Sequence, residues 1–204
     1  MAPPTATASF PPADALRVLA DELRGEGPEV ADRVVEPTGE PVLGMLVAAG
    51  ERCAAAPGEY AAVVESIREG FLLHYGTSRL LRADDPDLRL LVGDHLYARG
   101  IERLVQLDDL LAVRELSDLI SLSAQLDTVA ADTAAASGIL WVACCVAIAA
   151  GPGDSHERDK AALRESGDAG PLLAGARRCA EAAGLSGALD GAFKAVGCPP
   201  ADRG

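Results

Sequence analysis

The segment TAAASGILWVACCVAIAAG, Thr133 to Gly151, constrains this chain more than any other stretch. It contains no Lys, Arg, Asp or Glu. A run of this kind belongs in a bilayer or inside a bundle of helices. Its length is about the minimum for a membrane span. Yet Asp127 and Asp132 precede it, Asp154 follows it, and no Lys or Arg anchors either end. Ala, Ser, Gly and Cys supply much of it, which suits a helix with other helices packed around it. The expectation is a buried core helix and no membrane span.

The rest of the chain supplies helices to enclose it. Helical periodicity runs from Asp14 to about Arg24, from Val42 to about Ala56, and from Glu59 to His74. The stretch between the first two looks irregular, with one short helical turn. Asp85, Pro86 and Asp87 open a further helix as N-cap, first residue and first-turn acid, and it reaches about Leu107. Others are expected over 109–126, 128–150, 156–165, 169–183 and 186–196, separated by glycines and junction residues. Asp108 and Asp109 sit at one such junction and read as a cap. No segment alternates as a useful strand would, and no repeat of 20–50 residues is visible. With 49% hydrophobic and 24% charged residues, the chain is globular, and only 3% are aromatic. The predicted class is an all-α multi-helix bundle: one helical domain over 12–197, with loose tails at 1–11 and 198–204.

A net charge of −13 disfavours nucleic acid and anionic membrane surfaces as partners. The N-terminal MAPPTATASFPP has neither the basic nor the apolar region of a secretory signal. Five cysteines, among them the adjacent Cys144 and Cys145, show no CxxC spacing. Reduced thiols in a cytoplasmic protein, without thiolate-bound metal, are the expectation.

The stretch LLVGDHLYARGIERL, Leu90 to Leu104, raises the sharpest question about chemistry. At helical spacing Leu90, Leu91, Tyr97, Ala98, Ile101, Leu104 and Val105 share one side, and Asp94 falls among them. An unpaired buried carboxylate costs several kcal/mol or is neutralised. Asp94 therefore needs a donor, an arginine or a backbone N–H, or its face is not fully dry and it lines a cavity. His74, His95 and His156 have no ligand partner at helical spacing and read as structural or surface residues. Asp84, Asp85 and Asp87 could hold Mg²⁺, but capping explains them better. Neither a Gly-x-Ser-x-Gly elbow nor a glycine-rich phosphate loop is present.

The pattern Gly93, Asp94, Leu96, Ala98, Arg99 resembles a helix of trans-polyprenyl diphosphate synthases, which follows their first metal-binding motif. VRELSDLISLSAQ from Val113 is similar to the family's next helix, and DTAAASGILWVACCVAIAAG from Asp132 to the one after. The resemblance spans about Glu65 to Ala150 and implies a truncated isoprenoid-synthase-like fold. It also exposes what is missing. Catalytic members hold Mg²⁺ with two Asp-Asp-x-x-Asp motifs, and this chain has neither. Asp84-Asp85-Pro86-Asp87 has the wrong spacing, Asp108-Asp109 runs into Leu110-Leu111-Ala112, and no Gly-Gly-Lys-Arg-x-Arg-Pro segment occurs. Asp132 stands where the family has a lysine.

The resemblance therefore implies the small, non-catalytic partner found in heterodimeric synthases of the heptaprenyl type. Its expected partners are a catalytic prenyl synthase subunit or a second copy of itself. It would need no cofactor, and a prenyl chain is a possible ligand of the Ala-rich core. Asp94, Tyr97 and Arg99 are the ligand-facing candidates. The rival readings are a ligand-free helical adaptor, or an unusual isoprenoid enzyme using Asp84, Asp85 and Asp87 to hold Mg²⁺.

Overall fold

A computed structural model describes residues 10–129 and 134–197. The expected tails, apart from residues 10 and 11, lie outside these residues, as do Asp132 and the side chain of Asp127. Ten α-helices and no β-strand are found among the described residues. They are α1 (Ala15–Arg24), α2 (Pro28–Ala31), α3 (Val42–Ala48), α4 (Pro57–Tyr75) and α5 (Pro86–Leu107). There follow α6 (Leu110–Val129), α7 (Ala134–Ala150), α8 (His156–Ser166), α9 (Gly170–Ala182) and α10 (Ser186–Ala195). The all-α multi-helix bundle is the architecture. No described helix is long and apolar enough to cross a membrane.

Two helices are enclosed almost completely. In α7 every residue from Gly138 to Ala149 is buried, as a helix without charged residues requires. Its neighbours are α3, α6, α9 and α10. Trp141, Leu140 and Ile148 join Leu116, Leu119 and Leu122 of α6 and Phe193 of α10 in the main core. Each such side chain contributes about 1.5–3 kcal/mol on burial. The second enclosed helix, α4, lies among α1, α3 and α5. A satellite core joins Leu16, Leu19 and Leu23 of α1 to Leu73, Leu80, Val92 and Leu96.

Local signals decide the helix ends. The Asp85 carboxylate accepts from the Asp87 N–H at 2.9 Å, with Pro86 in the first turn, as the sequence predicts. Asp108 closes α5 in the left-handed conformation (φ 54°). Asp109 then caps α6, its carboxylate accepting from the Ala112 N–H at 3.0 Å. Two expected helices differ from their reading: Thr128 and Val129, expected to open the 128–150 helix, belong to α6, and the helix expected over 42–56 is shorter than its periodicity suggests. Instead of running to Ala56, α3 stops at Ala48. Gly50 packs against the end of α7, where a Cβ would lie 2.2 Å from the Ala149 carbonyl oxygen. A continuing helix with side chains has no room there.

The structure corrects the face assigned to α5. Its buried residues are Val92, Gly93, Leu96, Gly100 and Leu104. The stripe expected inside is largely outside: Leu90 is 49% exposed, Leu91 67% and Val105 70%. The cause is the antiparallel contact with α4. A Cβ on Gly93 would sit 2.7 Å from His74 Nε2, and one on Gly100 2.7 Å from Ile67 Cδ1. On α4, a Cβ on Gly70 would meet the Tyr97 ring at the same distance. Three glycines let the backbones close together, and that contact selects the buried face.

Candidate functional site

Of the three residues assigned to a ligand, two meet and one does not. Asp94 is exposed, with its side chain 74% accessible. The puzzle of a carboxylate on a buried face therefore dissolves, because that face is open to water. Its neighbour is His74, whose Nε2 lies 3.1 Å from Asp94 Oδ1. The expected arginine or backbone donor is not there. The His74 ring stacks on Tyr97 at 5.3 Å between centroids and 12° between planes. Burial, with the nearby Tyr75 and Asp94, raises the Tyr97 hydroxyl well above its ordinary pKa. Arg99 points elsewhere and pairs with Glu102 at 2.7 Å. Asp84 lies among Arg79, Arg82 and Arg89 rather than facing Asp85 and Asp87 across a cation, and Asp85 is committed to its cap. Among the described residues, Asp84, Asp85 and Asp87 do not form a group whose ligand atoms converge as those of a metal site would.

Periodicity gave no warning of two almost fully buried acids on α4. Glu65 is 1% exposed and Glu69 is 0%. Both pair with Arg79 from the loop after α4, through Nη2 to Glu65 at 2.5 Å and Nε to Glu69 at 2.6 Å. The Gly44 N–H and Ser78 hydroxyl donate to the remaining carboxylate oxygens. Every acceptor is used, so this cluster ties the 76–85 connection to α3 and α4. Beside it Arg68 lies over the Trp141 ring at 4.8 Å, joining α4 to α7.

The densest chemistry lies between α6, α7 and α8. Glu115 of α6 is fully buried. His156, the first residue of α8, places Nε2 2.8 Å from Glu115 Oε2. Lys160, one turn on and 3% exposed, contacts Glu115 at 3.2 Å, Asp118 at 2.7 Å and Glu157 at 3.1 Å. Burial alone would raise the Glu115 pKa, but the His156 and Lys160 contacts outweigh it and hold the carboxyl below its usual range. Burial likewise opposes the Lys160 charge, and the Asp118 and Glu115 carboxylates overcome it, raising its pKa. On α7 the Cys144 thiol faces the same group, and burial followed by the Glu115 charge raises its pKa far above normal.

His156 also forms a wall of a cavity of about 260 Å³ between α7, α8 and α9. Ala143, Val146 and Ala147 make it apolar on one side, and Ser155, Asp159 and Cys179 line the other. The Ser155 hydroxyl donates to Asp159 at 2.6 Å. Sequence spacing could not have found this grouping, since its members come from three separate helices.

One further feature is a surface. Leu91, Ala98 and Val105 form an exposed stripe along α5, and Leu110 at the start of α6 is 78% exposed. Asp94 lies within it.

No protein family, curated protein or solved structure matches this chain. The resemblance to polyprenyl diphosphate synthases therefore rests on the residues quoted for it and on nothing beyond them.

Proposed function

We propose that this chain is a non-catalytic helical subunit that docks on a catalytic prenyl diphosphate synthase through the outer face of α5. The observation that carries this reading is the open stripe of Leu91, Ala98 and Val105 on α5. A long helix with a second apolar face exposed, already packed on its first, presents an interaction surface. Of the acids read as possible metal ligands, Asp85 is engaged as the cap of α5, and Asp109 caps α6. The resemblance at Gly93, Asp94, Leu96, Ala98 and Arg99 supplies the class of partner. In such an interface Asp94 is the polar contact that sets register within an otherwise apolar patch.

A second reading, self-association, draws on the symmetry of the stripe. Leu91 and Val105 lie equally far from Ala98, about 10 Å along the helix on each side. Two copies crossing antiparallel at Ala98 would set each leucine against the other's valine.

The test mixes the purified chain with a catalytic subunit that carries both Asp-rich motifs and comes from a heterodimeric long-chain synthase. Co-elution and a changed product length or rate are expected, with both lost in the Leu91→Glu, Val105→Glu double variant. Condensation by the isolated chain in Mg²⁺, or no effect on the catalytic subunit, refutes the proposal. A dimer of the chain alone, abolished by the same variant, transfers the surface to the second reading.

A further inference from the structure

We infer that Glu115, Cys144 and His156 form a binding site for a borderline divalent transition metal of the zinc class. One ligand atom from each residue, a carboxylate oxygen, Sγ and a ring nitrogen, lies within 4.8 Å of the other two. Glu115 and Cys144 are fully buried and His156 is 8% exposed. The donors arrive from three helices, so the bundle has converged them without any help from local spacing. Among the described residues, this is the one grouping of His, Cys, Asp and Glu side chains with such a geometry.

The donor set selects the metal. Mixed oxygen, nitrogen and sulfur ligands suit Zn²⁺, while Mg²⁺ and Ca²⁺ favour oxygen shells. Three protein ligands leave a fourth position, and His156 borders the cavity between α7, α8 and α9, which gives an ion or a water molecule a route.

Lys160 is the competitor, since its ammonium lies 3.2 Å from Glu115. It need not leave the site to yield, because Asp118 at 2.7 Å and Glu157 at 3.1 Å hold it in place. On loading, the Cys144 thiol gives up its proton and the electron pair released on Sγ becomes the metal–sulfur bond, while His156 and Glu115 each present a lone pair.

The experiment adds Co²⁺ to the full metal-free chain as a spectroscopic probe and then displaces it with Zn²⁺, measuring affinity by competition with a chromogenic chelator. The expected result is a thiolate-to-cobalt charge-transfer band, lost in Cys144→Ser and kept in Cys179→Ser. Zinc affinity should fall at least about tenfold in Cys144→Ser and in His156→Gln. Circular dichroism establishes that each variant is folded. If the unaltered chain gives no thiolate band, the inference fails whatever the variants do. It fails equally if folded Cys144→Ser keeps the band.

Discussion

Replacing Lys160 by methionine keeps most of the side chain's volume and removes its charge. Three carboxylates would then share one cluster, with His156 2.8 Å and Arg114 3.9 Å from Glu115 as its remaining side-chain partners. The three contacts differ in worth. Glu157 is 55% exposed and Asp118 34%, so solvent screens both, and such pairs contribute between about 0 and 1 kcal/mol. Glu115 is fully buried. At 3.2 Å and an effective dielectric constant of about 20, its gross attraction to Lys160 is about 5 kcal/mol. Removing one member of a buried pair costs about 3–5 kcal/mol, because the other charge stays behind. His156, 2.8 Å from Glu115, softens this, so a loss of about 3 kcal/mol is expected. For a chain of this size that lowers Tm by roughly 6–12 °C. Urea unfolding followed by circular dichroism measures the change, and a cycle with Glu115→Gln isolates the pair. A loss below about 0.5 kcal/mol with unchanged denaturant slope, or zero coupling in the cycle, would refute the reasoning.

The same cluster gives stability a pH signature. Glu115 is held below its ordinary pKa when folded, so its contribution is complete above the ordinary carboxylate value and disappears as pH falls through the lower folded one. Acid unfolding curves should show this loss, and Glu115→Gln should flatten the slope in that window. Lys160 is raised, so its contribution is complete below the ordinary lysine value and fades only as pH climbs through the higher folded one; Lys160→Met should remove that alkaline loss. Gly50→Ala forces a methyl to 2.2 Å from a backbone carbonyl and should cost at least about 1–3 kcal/mol by calorimetry. Gly187→Ala, with open space beside it in α10, should instead stabilise by up to about 1 kcal/mol. Asp94→Asn should change monomer stability by less than about 0.5 kcal/mol, and a larger effect would contradict its exposure.

The sequence by itself determined the class, the order of the helices and most of their ends. Those properties are local: Asp85 caps the chain that follows it, and a segment without charges must be surrounded. It also showed an apolar stripe on α5 with Asp94 within it, but periodicity assigned that stripe to the interior, and the structure leaves most of it outside. Glycine carries no weight in a hydrophobic pattern, yet Gly70, Gly93 and Gly100 set how closely α4 and α5 approach, and that contact turned Val92 and Leu96 inward and left Leu91 and Val105 outside. Only the tertiary structure brought Glu115, Cys144, His156 and Lys160 together. Residues on three helices share no periodicity, and their meeting depends on packing angles set by the whole core. Local propensity acts within a few residues along the chain, whereas a buried polar site is assembled by side chains that the chain itself keeps far apart.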